Sequence, residues 1–364
     1  MGCENDGKPT GPKMKSLCHG DLILTGGGQG GLAAQVEAVL QSLQDHGAGP
    51  EALALIRVFY RPPRDEGQLR RDLAALLPYG VRLALTLVPV PQAGAGDGAL
   101  SLEAMAVLGP DIALNGAIGG EARFCKGVRR GRFLFLSAET AADVKGLPEE
   151  SHALMQRLGQ TLAALGADFG DVVRMNRWYH AAGSKEEWAP SARATAAFYR
   201  EPGPVATAIS LPWLLPEGRS IQIELMGMRG VDGSVLPKYH AWPEGLWDWP
   251  IPLPYKHGLA CGGLGFVGGQ VSLDAKAEVI DPDHLDRQIA RSLANVAKVA
   301  AGLGQVERML HLGCYYQVPP GGVAGAATLR ALAEGETPAV LAGFDYLSYP
   351  EMRVEIEAIV ALRA

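Results

Sequence analysis

Three segments of the chain place a carboxylate in the same local frame, and only one of them doubles it. They read LSLEAMAV (100–107), IQIELMGM (221–228) and VEIEAIV (354–360). Glu103, Glu224 and Glu357 recur, whereas two residues earlier stand Ser101, Gln222 and Glu355. A recurring acid suits a structural role wherever copies of the segment meet. An acid whose counterparts are an amide and a hydroxyl suits general acid–base chemistry or the positioning of a water. Glu355 is therefore the first catalytic candidate, against the alternative of a strand carboxylate paired with a buried arginine.

Other reactive side chains stand nearby or alone. His257 adjoins Tyr255 and Lys256. Its imidazole titrates near neutrality and could move a proton, or it could sit in a surface turn. Cys314, within GCYYQ (313–317), reads either as a nucleophile or as inert core. Trp242, Trp247 and Trp249 could roof a cleft for a ring-bearing ligand or clamp a linker. The run GGGQGG (26–31) lacks the Lys-Ser/Thr of a P-loop and the placement that opens a dinucleotide-binding helix.

Composition narrows the function classes. Lysine and arginine total 33 against 39 acidic residues, a net charge of −6 with no basic run, which argues against a nucleic-acid partner. The five cysteines (Cys3, Cys18, Cys125, Cys261, Cys314) show no CxxC or Cys/His spacing. No metal site is expected, and the thiols read as those of a reduced, cytoplasmic protein. No apolar run approaches the ~18 residues of a membrane span. The start MGCEND lacks a signal-peptide core and carries Asp6 where myristoylation wants Ser or Thr.

The elements that position these residues repeat about every 120 residues, and repeats are sought before local detail. Each acidic segment alternates with period two, as a half-buried strand does. Each is preceded by an apolar strand ending in small residues: GDLILTGG (20–27), GRFLFLSA (131–138) and GLGFVGGQ (263–270). Between them lie helical stripes: Val36, Val39, Leu40 and Leu43; Leu154, Leu158, Leu162 and Leu165; Leu285, Ile289, Leu293 and Val296. A further strand follows each helix, over 54–60, 172–179 and 309–317, and a variable segment then leads to the acidic strand. The chain thus divides into units 10–110, 111–230 and 250–364, with a Pro/Trp-rich connector at 231–249 and a flexible loop at 92–99.

These strings resemble the Rid/YjgF (reactive-intermediate deaminase) family. PYKHGLACGGLGFVGGQVSLD (254–274), DHLDRQIARSLANVAKVAAGLG (283–304) and MRVEIEAIV (352–360) are similar to its opening block, helix and closing strand. FLFLSAE (133–139), PGPVATAISLPWL (202–214) and IQIELMGM carry the likeness in the second unit, and Gly11-Pro12-Lys13 stands at the family's Gly-Pro-Tyr in the first. The resemblance implies an α/β chain of three tandem chorismate-mutase-like α+β units. These would close as an intramolecular pseudo-trimer, with a central β-barrel, helices outside and clefts between units. The chain would then be a monomer or low-order oligomer rather than an obligate homotrimer.

The family site, carried over by position, implies Tyr255 and Glu355 as catalytic residues and Gly268 as the small backbone-offering residue. The second unit has Phe124, Gln222 and Ser137 there, and the first Lys13, Ser101 and Gly26. The family's carboxylate-binding arginine is replaced by Pro338-Ala339-Val340 and Pro204-Val205-Ala206. The cation would have to come from a neighbouring unit, for which Arg129, Arg130 and Arg132 are candidates. With His257, Trp249 and Cys314 these complete the expected site, with no metal or organic cofactor. The implied function is a Rid-like hydrolase or deaminase adding water to a small imine, enamine or cyclic metabolite. A chorismatase-like hydrolase and a non-catalytic metabolite-binding or scaffold protein are the alternatives.

Overall fold

A computed structural model describes residues 14–28, 30–95, 98–118, 121–180, 184–211, 215–282, 284–318, 326–349 and 351–363. Gly11-Pro12-Lys13 lies outside the described residues. The strands form because their apolar, β-branched runs are buried along their whole length, as in Leu53–Tyr60 and Ile221–Met228. Among the described residues no helix is long and apolar enough to cross a membrane.

One strand order occurs three times along the chain. In the first third Ser16–His19, Leu22–Thr25, Leu100–Val107, Leu53–Tyr60 and Leu83–Pro89 lie side by side, the last pair parallel and the others antiparallel. Glu121–Arg130, Phe133–Glu139, Ile221–Met228, Val172–His180 and Val205–Leu211 repeat the order and polarity. So do Gly258–Cys261, Leu264–Val271, Val354–Leu362, Val306–Gln317 and Ala339–Phe344. The acidic strand is the middle of each set, so its carboxylates fall where neighbouring sets converge.

Each set carries a long helix, Leu32–Asp45, Leu147–Ala164 or Leu285–Leu303, whose apolar stripe is buried, with Leu40 and Leu293 half-buried at its margin. The variable segments differ from expectation. Each holds a second helix, Glu66–Leu76, Lys185–Ala196 or Ala326–Glu334, that returns the chain for a parallel strand. These helices escape pattern reading because their stripes are thin; the second is built on alanines and contains Pro190. The connector also contributes a strand, Lys238–Ala241, paired with Gly258–Cys261. Within the expected flexible loop at 92–99, Gln92 and Ala93 instead form an antiparallel ladder with Gly343 and Ala342.

The sets meet edge to edge at three junctions. Leu83 and Ala84 pair with Phe124 and Cys125, Val205 bridges Lys256, and Gly27 N–H donates to Ala339 O at 2.8 Å. Small residues permit the approach: a Cβ on Gly268 would stand 2.9 Å from Ala206 O, and one on Gly26 2.9 Å from Ala339 N. At the first junction Ser137 fills the same place, and its Oγ accepts Leu85 N–H at 2.8 Å. Because two junctions have such sparse hydrogen bonding, the strands form two curled ladders of eleven and seven rather than one continuously bonded barrel.

The recurring acids meet in the interior. In register, Arg57 faces Glu103, Asn176 faces Glu224, and Gly313 faces Glu357. The Arg57 guanidinium, fully buried, lies 2.5 Å from Glu103, 2.5 Å from Glu224 and 3.8 Å from Glu357. His311 Nε2 lies 2.6 Å from Glu103, while Asn176, Thr207 and Tyr315 donate to Glu357 at 2.7, 2.6 and 2.9 Å. Burial alone would raise the Glu103 pKa, but Arg57 and His311 bring it down to about 2. We expect Arg57→Met to cost about 3–5 kcal/mol in denaturant unfolding, because it strands buried carboxylates. Adding Glu103→Gln and Glu224→Gln should recover much of that loss. Since Glu103 titrates below its ordinary 4.5, its contribution is present above that pH and is lost as pH falls toward 2. Acid unfolding in that window, absent from the triple variant, is the check.

Candidate active site

The three junctions share a backbone frame but are filled differently. Register equates Leu87, Ala208 and Leu341, which lie opposite Val58, Arg177 and Cys314 on the neighbouring parallel strands. At the first junction Gln222 Nε2 donates to Leu87 O at 2.9 Å. Between the third and first sets, Leu341 O accepts Gly94 N–H at 2.9 Å, so the segment after Gln92 occupies that edge. Between the second and third, Ala208 N–H points at Glu355 and donates to its Oε1 at 3.3 Å. A pocket remains there, lined by Arg177, Tyr179, Trp188, Trp249, Tyr255 and Glu355 among others.

Glu355 is 6% exposed. Burial lifts its pKa to about 8, the neighbouring Glu357 adds to the rise, and the Ala208 amide and Arg177 offset only part of it. The carboxyl is therefore mostly protonated at neutral pH. Gly269 makes room for it, since a Cβ there would fall 1.8 Å from Glu355 Oε1.

Arg177 is the cation of this pocket. In register it occupies the helix-facing position held by Val58 and Cys314 in the other sets. Its guanidinium lies 4.7 Å from the Tyr179 ring centroid and donates to Thr195 Oγ1 at 3.5 Å. No carboxylate is ion-paired with it among the described residues. Tyr255 lines the same pocket, its hydroxyl 3.0 Å from Thr195 Oγ1. Thr195 gives its own proton to Ala192 O at 3.0 Å, so Tyr255 donates to Thr195 and keeps acceptor capacity for a ligand. Burial raises the Tyr255 pKa, so the phenol stays protonated.

The remaining expected residues divide. Trp249 forms part of the wall. Gly268 sits behind it, against the pocket residue Ala206. His257 is buried rather than in a surface turn, with Nε2 2.8 Å from Trp247 O and Nδ1 3.2 Å from Gln270. Trp242 and Trp247 flank its ring at 4.4 and 4.7 Å. Burial lowers its pKa, so it is a neutral strut under the tryptophan roof rather than a proton carrier. Arg129 does not reach the pocket; it donates to Leu165 O at 3.3 Å and Gly230 O at 2.8 Å. Cys314 is core, its thiol pushed up to about 12 by burial, which removes it as a nucleophile.

Sequence reasoning missed Arg177, Tyr179, Trp188 and Tyr349. The signal for Arg177 was an arginine at a strand position where its counterparts are valine and cysteine. Tyr179 lies on the same expected strand, two residues on from Arg177, whereas Trp188 lies on the second helix and Tyr349 on the loop before the last strand, where no repeat-derived frame existed. Among the described residues no cluster of three or more His, Cys, Asp or Glu could hold a metal.

No family model matches the sequence, and no curated protein matches it. Among solved structures, a chorismatase is similar over 85% of this chain and 93% of its own, with TM-score 0.58 and 14% identity. A YjgF family member from Neisseria meningitidis covers 32% of this chain and 92% of its own, at 15% identity and TM-score 0.28. RidA from the Antarctic bacterium Psychrobacter sp. PAMC 21119 covers 33% and 97%, at 19% identity and TM-score 0.28. The chorismatase likeness shows a shared fold across most of the chain.

The raised pKa of Glu355 has a measurable consequence for stability. Its protonated form favours the folded state, and that contribution fades as pH rises from the ordinary 4.5 through about 8. Glu355→Gln should therefore unfold at higher denaturant than the parent above pH 8, with the gap narrowing toward pH 5. An unchanged gap across that range would contradict a buried, protonated Glu355.

Proposed function

We propose that the chain is a hydrolase on a Rid-like fold. Its three units, 10–110, 111–230 and 250–364, would act as an intramolecular pseudo-trimer with one working cleft. It would take a small anionic metabolite bearing an activated C=N or C=C bond, an imine, an enamine or a cyclic relative. The observation that carries this reading is a buried carboxyl, held protonated at neutral pH, in the same pocket as an arginine that has no ion-paired carboxylate among the described residues.

The chemistry follows from those two groups. A carboxyl near pKa 8 is a proton donor at pH 7. Glu355 would protonate the imine nitrogen or the enamine carbon, leaving an electrophilic carbon. The carboxylate so formed gains from the Ala208 N–H and from Arg177. It then takes a proton from the water that attacks the carbon, which restores the acid; passing that proton to the carbinolamine nitrogen and taking back the hydroxyl proton would break the C–N bond, releasing ammonia and the carbonyl product. Arg177 would hold the substrate carboxylate by charge-assisted hydrogen bonds, replacing the arginine absent from the Pro338-Ala339-Val340 turn. Tyr255, its proton committed to Thr195, would accept a hydrogen bond from a protonated substrate nitrogen.

Chorismatase-like hydrolysis is the second reading, favoured by the fold shared over 85% of the chain. Chorismate carries two carboxylates, whereas the described pocket lining offers one guanidinium. A binding protein without turnover is the third.

The test uses 2-imino acids generated in situ by an amino-acid oxidase, with ammonia release followed over time. kcat/KM should be level below pH 8 and fall above it as Glu355 ionises. Glu355→Gln should lose about 10²–10⁴-fold in rate with the fold retained. Gln222→Ala should leave the rate near parent, because its edge is already closed onto Leu87. Stabilisation by these acids without turnover would favour the binding protein, and near-full turnover in Glu355→Gln would overturn the assignment.

A further inference from the structure

The buried, unpartnered hydrogen-bonding groups of the indoles that line the pocket are all donors. Trp188, Trp247 and Trp249 all line it, and the Nε1–H of each is buried with no acceptor among the described residues. An indole nitrogen donates and never accepts, and buried indole N–H groups ordinarily have a partner. Two of the three phenols of the same pocket have partners within the protein. Tyr179 is 3.0 Å from Ser348 Oγ and 3.5 Å from Ser210 Oγ, and Tyr255 is bonded to Thr195. Trp247 and Trp249 stack edge to face at 4.4 Å, which offers each other's π-faces at most, a weak partner. Trp178 also has an unpartnered Nε1, but it belongs to the interior cluster beneath Phe59 and Tyr315 and does not line the pocket.

The donor excess lies within flat aromatic walls. A ligand filling this space must therefore present planar apolar surface to the rings, a carboxylate to Arg177, and acceptor atoms to the indoles. A purely hydrocarbon ring would leave the N–H groups buried and unpaired, and a ligand rich in hydroxyl or amine donors would find few acceptors. We infer that the pocket selects a flat ring carboxylate with acceptor atoms on the ring edge, of the heteroaromatic or ring-carbonyl class. This rests on the hydrolase reading for what happens to the substrate, but concerns recognition alone.

The test needs only the full-length chain and three probe acids: pyridine-3-carboxylate, benzoate and pyruvate. In protein labelled with [15N]tryptophan, six indole resonances are followed during titration. Pyridine-3-carboxylate should bind about five- to tenfold tighter than benzoate, the difference one gained hydrogen bond supports. Both should bind tighter than pyruvate. The Nε1–H signals of one or more of Trp188, Trp247 and Trp249, assigned by single Trp→Phe variants, should move downfield with the pyridine acid and not with benzoate. Trp→Phe at the responding position should bring the two ring acids within about twofold, while Arg177→Met weakens both. Equal affinity for the two ring acids, binding with unmoved indole signals, or no binding of any probe would overturn the inference. The parent chain separates it from the hydrolase reading. Discrimination among the ring acids by a parent chain that turns over no imino acid leaves recognition standing and sinks catalysis, and turnover without discrimination does the reverse.

Discussion

One guanidinium, that of Arg57, reaches carboxylates arriving from three separate strands. Burying even one such charge is costly unless it is paired and hydrogen-bonded. Glu103, Glu224 and Glu357 are each 2% exposed or less, so the three strands that carry them are tied to one point. Slipping any acidic strand by one residue would turn its carboxylate to the opposite face and leave Arg57 or a glutamate unpaired. The rest of the arrangement, including which edges face each other at the junctions, follows from that tie.

The tie is not threefold symmetric. Against three identical acids the chain sets Arg57, Asn176 and Gly313, and in the adjoining layer Leu55, Arg174 and His311. Arg174 lies 3.7 Å from Glu357, so two arginines and a histidine share the work that one repeated residue would do in a symmetric assembly. An asymmetric interior gives each acidic strand a different set of partners and so a distinct place in the assembly. That distinction lets the clefts between the sets differ without weakening the frame.

The clefts differ by what meets one equivalent backbone position. Leu87 and Leu341 offer a carbonyl, which Gln222 and the Gly94 amide occupy. Ala208 offers an amide, which suits an acidic acceptor, and there the chain places Glu355. One amide cannot compensate for removing a carboxylate from water, so the proton stays on. The same burial that would make Glu355 a liability in a core supplies a proton donor beside an open pocket. Arg177 lies close enough to attract the ionised form, yet burial outweighs it. The aromatic walls and the His257 strut maintain the dry surroundings on which this balance depends.

Period-two alternation, helical stripes and the threefold recurrence of an acidic strand were all legible in the sequence, because each is a local pattern set by strand and helix geometry. The unequal counterparts of Glu355 were legible too, since equivalent positions can be compared once the repeat is seen. The second helices were not, because alanine-rich segments bury too little apolar surface to mark a stripe. Nor was the use of Arg177 in place of Arg129. Both are arginines on strands of the same unit, and only the packing of sheet edge against the Lys185–Ala196 helix decides which one faces the cleft. Cys314 and His257 were ambiguous in the sequence and became core and strut once their neighbours were known. Reactivity in these side chains is a property of burial and partners, which residues distant in the chain supply.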